Sequence, residues 1–128
     1  MSILAPISAG ELVDKITILR VKAERIGDAA KEANVRKELA LLEGIAAGAL
    51  TPSAELDRLT GELTQINAAL WDIEDGKRAC ERNQTFGPEF VALARRVYMD
   101  NDKRAAVKRQ INALTGSDIV EEKSYKPY

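Results

Sequence analysis

Glu11, Lys15, Ile18, Lys22 and Arg25 follow one another at steps of four, three, four and three. That spacing lines them along one face of an α-helix. Three cations on such a face suit a carboxylate or phosphate held across a groove. A second run, Arg95, Arg96, Lys103, Arg104, Lys108 and Arg109, meets only Asp100 and Asp102 between Arg95 and Asn112, a local charge of +4 in a chain of net charge -1. Arg104 and Lys108 stand four apart and repel one another unless an acid or an anion joins them. Lys15, Lys22, Arg25, Arg104 and Lys108 are therefore the candidate ligand-binding set. The plainer reading is a solvated face on the first helix. Glu11 ahead of Lys15 is the favourable order of charge, worth about 0.2–0.5 kcal/mol without any ligand. For the second run, Asp72, Glu74, Asp75, Glu121 or Glu122 competes with an external anion as the answering charge.

Carboxylates supply a second chemistry. Glu11 and Asp14 are spaced by three, as are Asp72 and Asp75, and Glu74 precedes Arg78 by four. Two such acidic pairs on facing helices could share a magnesium ion, because that hard cation takes carboxylate oxygens from more than one helix together with substrate phosphate. The arrangement resembles that of all-α nucleotide pyrophosphatases over a short stretch, and surface ion pairs are the plainer reading. Magnesium is the only cofactor in view, and only on that reading. Trp71, the sole tryptophan, suits a core or interface anchor. The chain has no histidine and one cysteine, Cys80. Histidine-ligated metal, a Ser–His pair and an internal disulfide are thereby excluded.

These residues need a scaffold. A chain of 128 residues with 45% hydrophobic and 30% charged side chains has room for one core, so residues 1–128 read as one helical domain. Near-balanced charge argues against nucleic acid as a default partner, and no apolar run reaches the roughly 20 residues that span a bilayer. With no basic-then-apolar leader and a lone cysteine, a cytoplasmic location is expected.

Ser8-Ala9-Gly10-Glu11 has the spacing of a capping box and predicts a helix from about Ala9. Leu12, Ile16, Leu19, Ala23 and Ile26 form its apolar stripe. After Gly27, Val35, Leu39, Leu42 and Ile45 repeat the pattern up to Gly48, so 9–47 reads as a helical hairpin. Thr51-Pro52 predicts the next start, with threonine as cap and proline at the first helical position. Leu56, Leu59, Leu63, Ile66, Leu70 and Ile73 then make a heptad seam, a coiled-coil-like spacing that points to the third helix as the spine and to self-association along it. Pro88 opens a fourth helix, which either turns at Asp100-Asn101-Asp102 or bends and continues to Gly116. The expected fold is all-α, an antiparallel bundle of four to five helices, with an N-terminal segment at 1–7 and a tail at 117–128.

Ser8 to Leu19, Leu70-Trp71-Asp72-Ile73-Glu74-Asp75, Asn101 to Lys108 and Glu121-Glu122-Lys123-Ser124-Tyr125 together resemble a bacterial family of small proteins known only as a domain of unknown function. The resemblance implies a link to tetratricopeptide-repeat or sugar-transfer proteins, and so to glycan metabolism. Three readings follow. The first is a non-catalytic adaptor or accessory domain that forms a homo-oligomer or binds a protein partner. The second is a binder or enzyme for a small anion such as a phosphate, nucleotide sugar or dicarboxylate, since Glu11-Leu12-Val13-Asp14-Lys15-Ile16 faintly resembles the first helix of helical chorismate mutases. The third is a magnesium-dependent nucleotide pyrophosphatase built on Glu11, Asp14, Asp72 and Asp75.

Overall fold

A computed structural model describes all 128 residues. It has four helices and no strand: α1 (Ala9–Arg25), α2 (Ala29–Ala49), α3 (Ala54–Asn83) and α4 (Pro88–Thr115). The protein is an all-α bundle, and no helix is long and apolar enough to cross a membrane.

Local signals explain most boundaries. Ser8 accepts from the Glu11 amide at 3.0 Å and starts α1, while Asp28 accepts from the Lys31 amide at 2.9 Å and starts α2. The Glu11 half of the capping box does not form, because that carboxylate turns to Lys108 and Lys15 instead. At α3 the threonine–proline start is two residues early. Ser53 is the cap and accepts from the Leu56 amide at 3.0 Å, leaving Thr51 and Pro52 in the connection. Gly48 does not end α2, which runs one residue further and closes at Leu50. Gly76 does not interrupt α3, which ends where Gln84 takes a left-handed conformation and its side chain bonds the Glu81 carbonyl. Asp100-Asn101-Asp102 breaks nothing either. Asp100 is buried and paired with Arg96 four residues earlier, so its carboxylate supports one continuous 28-residue helix instead of capping a new one. Pro88 and Gly116 bound that helix as expected.

The shortest helix is the central one. α1 touches α2, α3 and α4, whereas α2 touches α1 alone. Burial on α1 extends well beyond the expected stripe, to Gly10, Val13, Asp14, Thr17 and Val21. The third helix is therefore not the spine, although its seam is where the main core forms. Leu56, Leu59 and Leu63 meet Val13 of α1 and Val107 and Ile111 of α4, with Ile66 and Leu50 at the margin. Seam residues Leu56, Leu59, Leu63 and Ile73 are spent inside one chain, which leaves Ile66 and Leu70 half-buried and little apolar surface for self-association there.

Gly10 sets the approach of α1 to α4. A Cβ at this position would lie 2.5 Å from the Lys108 carbonyl oxygen and 2.9 Å from Asn112 Oδ1. The Gly10 amide donates to that same Oδ1 at 2.7 Å. Gly61, by contrast, sits in a helix with open space around its missing side chain. Gly10→Ala is expected to lower unfolding free energy by about 1–3 kcal/mol, the usual cost of overpacking, and Gly61→Ala to raise it by about 0.5–1 kcal/mol. Urea denaturation of the two variants beside the parent checks both signs.

Candidate functional site

Of the charged residues singled out by spacing, Glu11, Asp14, Arg104 and Lys108 meet along the line where α1 faces α4. Asp14 is fully buried, on the inward side of α1. Arg104 of α4 closes on it with two parallel hydrogen bonds, Nε to Oδ1 at 2.8 Å and Nη2 to Oδ2 at 2.5 Å. This forked pairing matches the planar guanidinium to the planar carboxylate. The bond to Asp14 raises the pKa of Arg104 against the opposing effect of its burial. Asn67 of α3 completes the carboxylate's shell, donating to Asp14 Oδ1 at 3.0 Å and to Thr17 Oγ1 at 2.9 Å, while Thr17 donates to the Asp14 carbonyl at 2.8 Å. One turn earlier on α1, Glu11 accepts from Lys108 at 2.5 Å and stands 3.6 Å from Lys15. The pairs Gly10–Asn112, Glu11–Lys108 and Asp14–Arg104 step up α1 as they step down α4.

The line ends at the chain's own tail. Ser8 and Asn112 both donate to Glu121, and the Ala9 amide donates to Ser117 Oγ at 3.2 Å. Burial alone would raise the Glu121 pKa. The bonds from Ser8 and Asn112 and the charge of Lys108 outweigh that effect, so the carboxyl titrates below its ordinary 4.5. No buried side-chain nitrogen or oxygen lacks a partner.

Of the five candidate clamp cations, four have internal carboxylates: Lys15 and Lys108 on Glu11, Arg104 on Asp14, and Arg25 on Asp72. Lys22 joins no ion pair. The four carboxylates of the magnesium reading are not gathered. Asp14 is enclosed by Arg104 and Asn67, Glu11 by two lysines, and Asp72 is held at the surface by Arg25. Nowhere do three acidic or cysteine side chains stand close enough to hold one ion. Glu74 pairs with Lys77 at 3.2 Å and not with Arg78. Near the network, Arg104 and Asn67 line a shallow cleft of about 310 Å³ walled by Trp71, Ile18, Asp75 and Arg78.

Sequence reasoning missed Asn67, Thr17 and Asn112, whose polarity on otherwise apolar helical faces was the available signal. It also left the tail open between a loose end and a docked one. The tail folds back on α4, with the Tyr128 ring 5.3 Å from that of Tyr98.

Two outcomes test this arrangement. Arg104→Ala is expected to cost about 3–5 kcal/mol, since it strands the buried Asp14 charge, Asp14→Ala to cost less because Arg104 keeps an edge in water, and the double variant to cost clearly less than their sum. Denaturant titrations of the four proteins give the coupling, and additive costs contradict the pairing. Because the folded pKa of Glu121 is lowered, the stability it lends is fully present above about pH 4.5 and is lost as the pH falls through the folded value. Glu121→Gln should flatten the acid limb of a melting-temperature profile, and high salt should reduce the effect because the group is exposed.

No curated protein and no solved structure matches the chain. A family model does match, over residues 3–128. Through that match to nearly its whole length, the chain belongs to the family of unknown function DUF6165.

Proposed function

We propose that the protein is a non-catalytic helical adaptor that works as a homodimer, joined through α2 and the N-terminal segment. The observation that carries this reading is the state of α2. In 21 residues it buries none, and it rests on α1 by the half-buried Leu39, Leu42 and Ala46. Its Leu41 and Ile45 remain 59% and 47% exposed. They border a groove of about 520 Å³ shared with Ile3, Leu4 and Ile7, all exposed, and the only charged residue lining it is Asp118. Aliphatic surface gathered in one place marks an interface more often than scattered side chains do. A second copy suits it as occupant, because a face with so little charge can meet itself across a two-fold axis without setting like charges opposite one another.

The anion-clamp reading is weaker on physical grounds. Four of its five cations already hold carboxylates, and a ligand would have to displace them at the cost of leaving Asp14 or Glu11 unanswered. The adaptor is set in glycan-related metabolism in the cytoplasm. Support for that setting is the sequence resemblance to proteins joined to tetratricopeptide-repeat or sugar-transfer units, together with the lone cysteine.

Light scattering coupled to size exclusion tests the dimer. The parent is expected at twice the 14.0 kDa chain mass. Leu41→Glu combined with Ile45→Glu is expected at the monomer mass with unchanged helical circular dichroism. A parent that stays monomeric at high concentration overturns the reading.

A further inference from the structure

The cleft between α4 and the folded-back tail has a composition unlike the rest of the surface. It measures about 660 Å³, within the roughly 300–1,000 Å³ usual for small-molecule sites. Three cations line it, Arg109 from α4 and Lys123 and Lys126 from the tail, and none of them joins an ion pair, in contrast to Arg96, Arg104 and Lys108 on the same helix. Three tyrosines line it as well. Tyr98 and Tyr128 lie against each other, and Tyr125 and Tyr128 are 83% and 81% exposed. Lys123 sits 5.8 Å from the centre of the Tyr125 ring.

Exposed tyrosine rings offer flat faces on which a planar group stacks, and free cations beside them neutralise phosphate. Asp102 lines the cleft too, and its carboxylate near the Tyr128 hydroxyl raises the pKa of that phenol, so the side chains of the lining carry three positive charges against one negative. We infer that this cleft binds a nucleotide, with the base stacked on Tyr125 or Tyr128 and the phosphates held by Arg109, Lys123 and Lys126. A mononucleotide fits better than a nucleic acid strand, because the cleft holds only three cations and the chain as a whole carries a net charge of -1. The site is separate from the α2 groove and does not depend on the dimer.

Isothermal titration calorimetry of the full chain with uridine diphosphate and adenosine diphosphate tests the inference. Uridine, inorganic pyrophosphate and a short single-stranded oligonucleotide serve as comparison ligands. At least one of the two diphosphates is expected to bind more tightly than uridine or pyrophosphate. Arg109→Gln and Lys123→Gln should each weaken it by about tenfold, the equivalent of one charge-assisted hydrogen bond. Tyr125→Ala should weaken the diphosphate and leave pyrophosphate unchanged. All three positions are on the surface, and Leu41→Glu should leave binding intact. No heat with either diphosphate at millimolar concentration, equal affinity for pyrophosphate, tighter binding of the oligonucleotide, or indifference to the two glutamine variants overturns the inference.

Discussion

A carboxylate with no access to water has to be answered, and Asp14 is answered by Arg104 from the far end of the sequence. The bond constrains nearly everything else. Two forked hydrogen bonds fix the rotation of α1 against α4, and Asn67 ties the same carboxylate to α3, so three helices share one polar point within an apolar interior. Replacing such a network with aliphatic side chains often costs little stability. Its contribution is to register: an oily α1 could slide or turn by a residue against its neighbours, whereas α1 with Asp14 inward has one position that satisfies every bond.

Close packing follows from the same constraint. The forked pair needs α1 and α4 near one another, and Gly10 provides the clearance one turn from Asp14. Asn112 and Glu121 continue the line outward, so polarity grades from the sealed centre to the wet tail. The molecule thus has two unlike surfaces left over. One is aliphatic, along α2 and the N-terminal segment, and the other is basic and aromatic, along α4 and the tail. Neither lining includes a member of the buried cluster formed by Val13, Leu56, Leu59, Leu63, Val107 and Ile111.

Much of this fold was legible in the sequence, because helix caps and apolar periods are local. Ser8, Pro88 and Gly116 announced their helix ends correctly. Thr51-Pro52 misled by two residues since Ser53 offered an equally good cap, and a ladder of spacings could not tell which would be used. The heptad seam read as a docking edge because periodicity reports an apolar face without naming what covers it. Here α1 and α4 cover most of it. The charges were the hardest to read. Spacing grouped Lys15, Lys22 and Arg25 on one face, yet Lys15 answers its own helix and Arg25 reaches α3, since long side chains choose partners by three-dimensional proximity. Asp14 looked like half of a metal pair because its burial depends on where α3 and α4 lie, which no local pattern encodes.

The separation of Asp14 from Arg104 by 90 positions bears on how the protein comes into being. As the chain leaves the ribosome, α1 and α2 emerge before α3 and α4, and α1 then has neither the guanidinium nor the amide of Asn67 to meet its acid. In a bare α1–α2 hairpin the face that carries Asp14 is open to water, so closing the hairpin brings none of the buried polar network into being. The buried cluster of Val13, Leu59, Leu63 and Ile111 likewise draws on α1, α3 and α4 together, so neither the core nor its polar point exists before α4 has returned to α1.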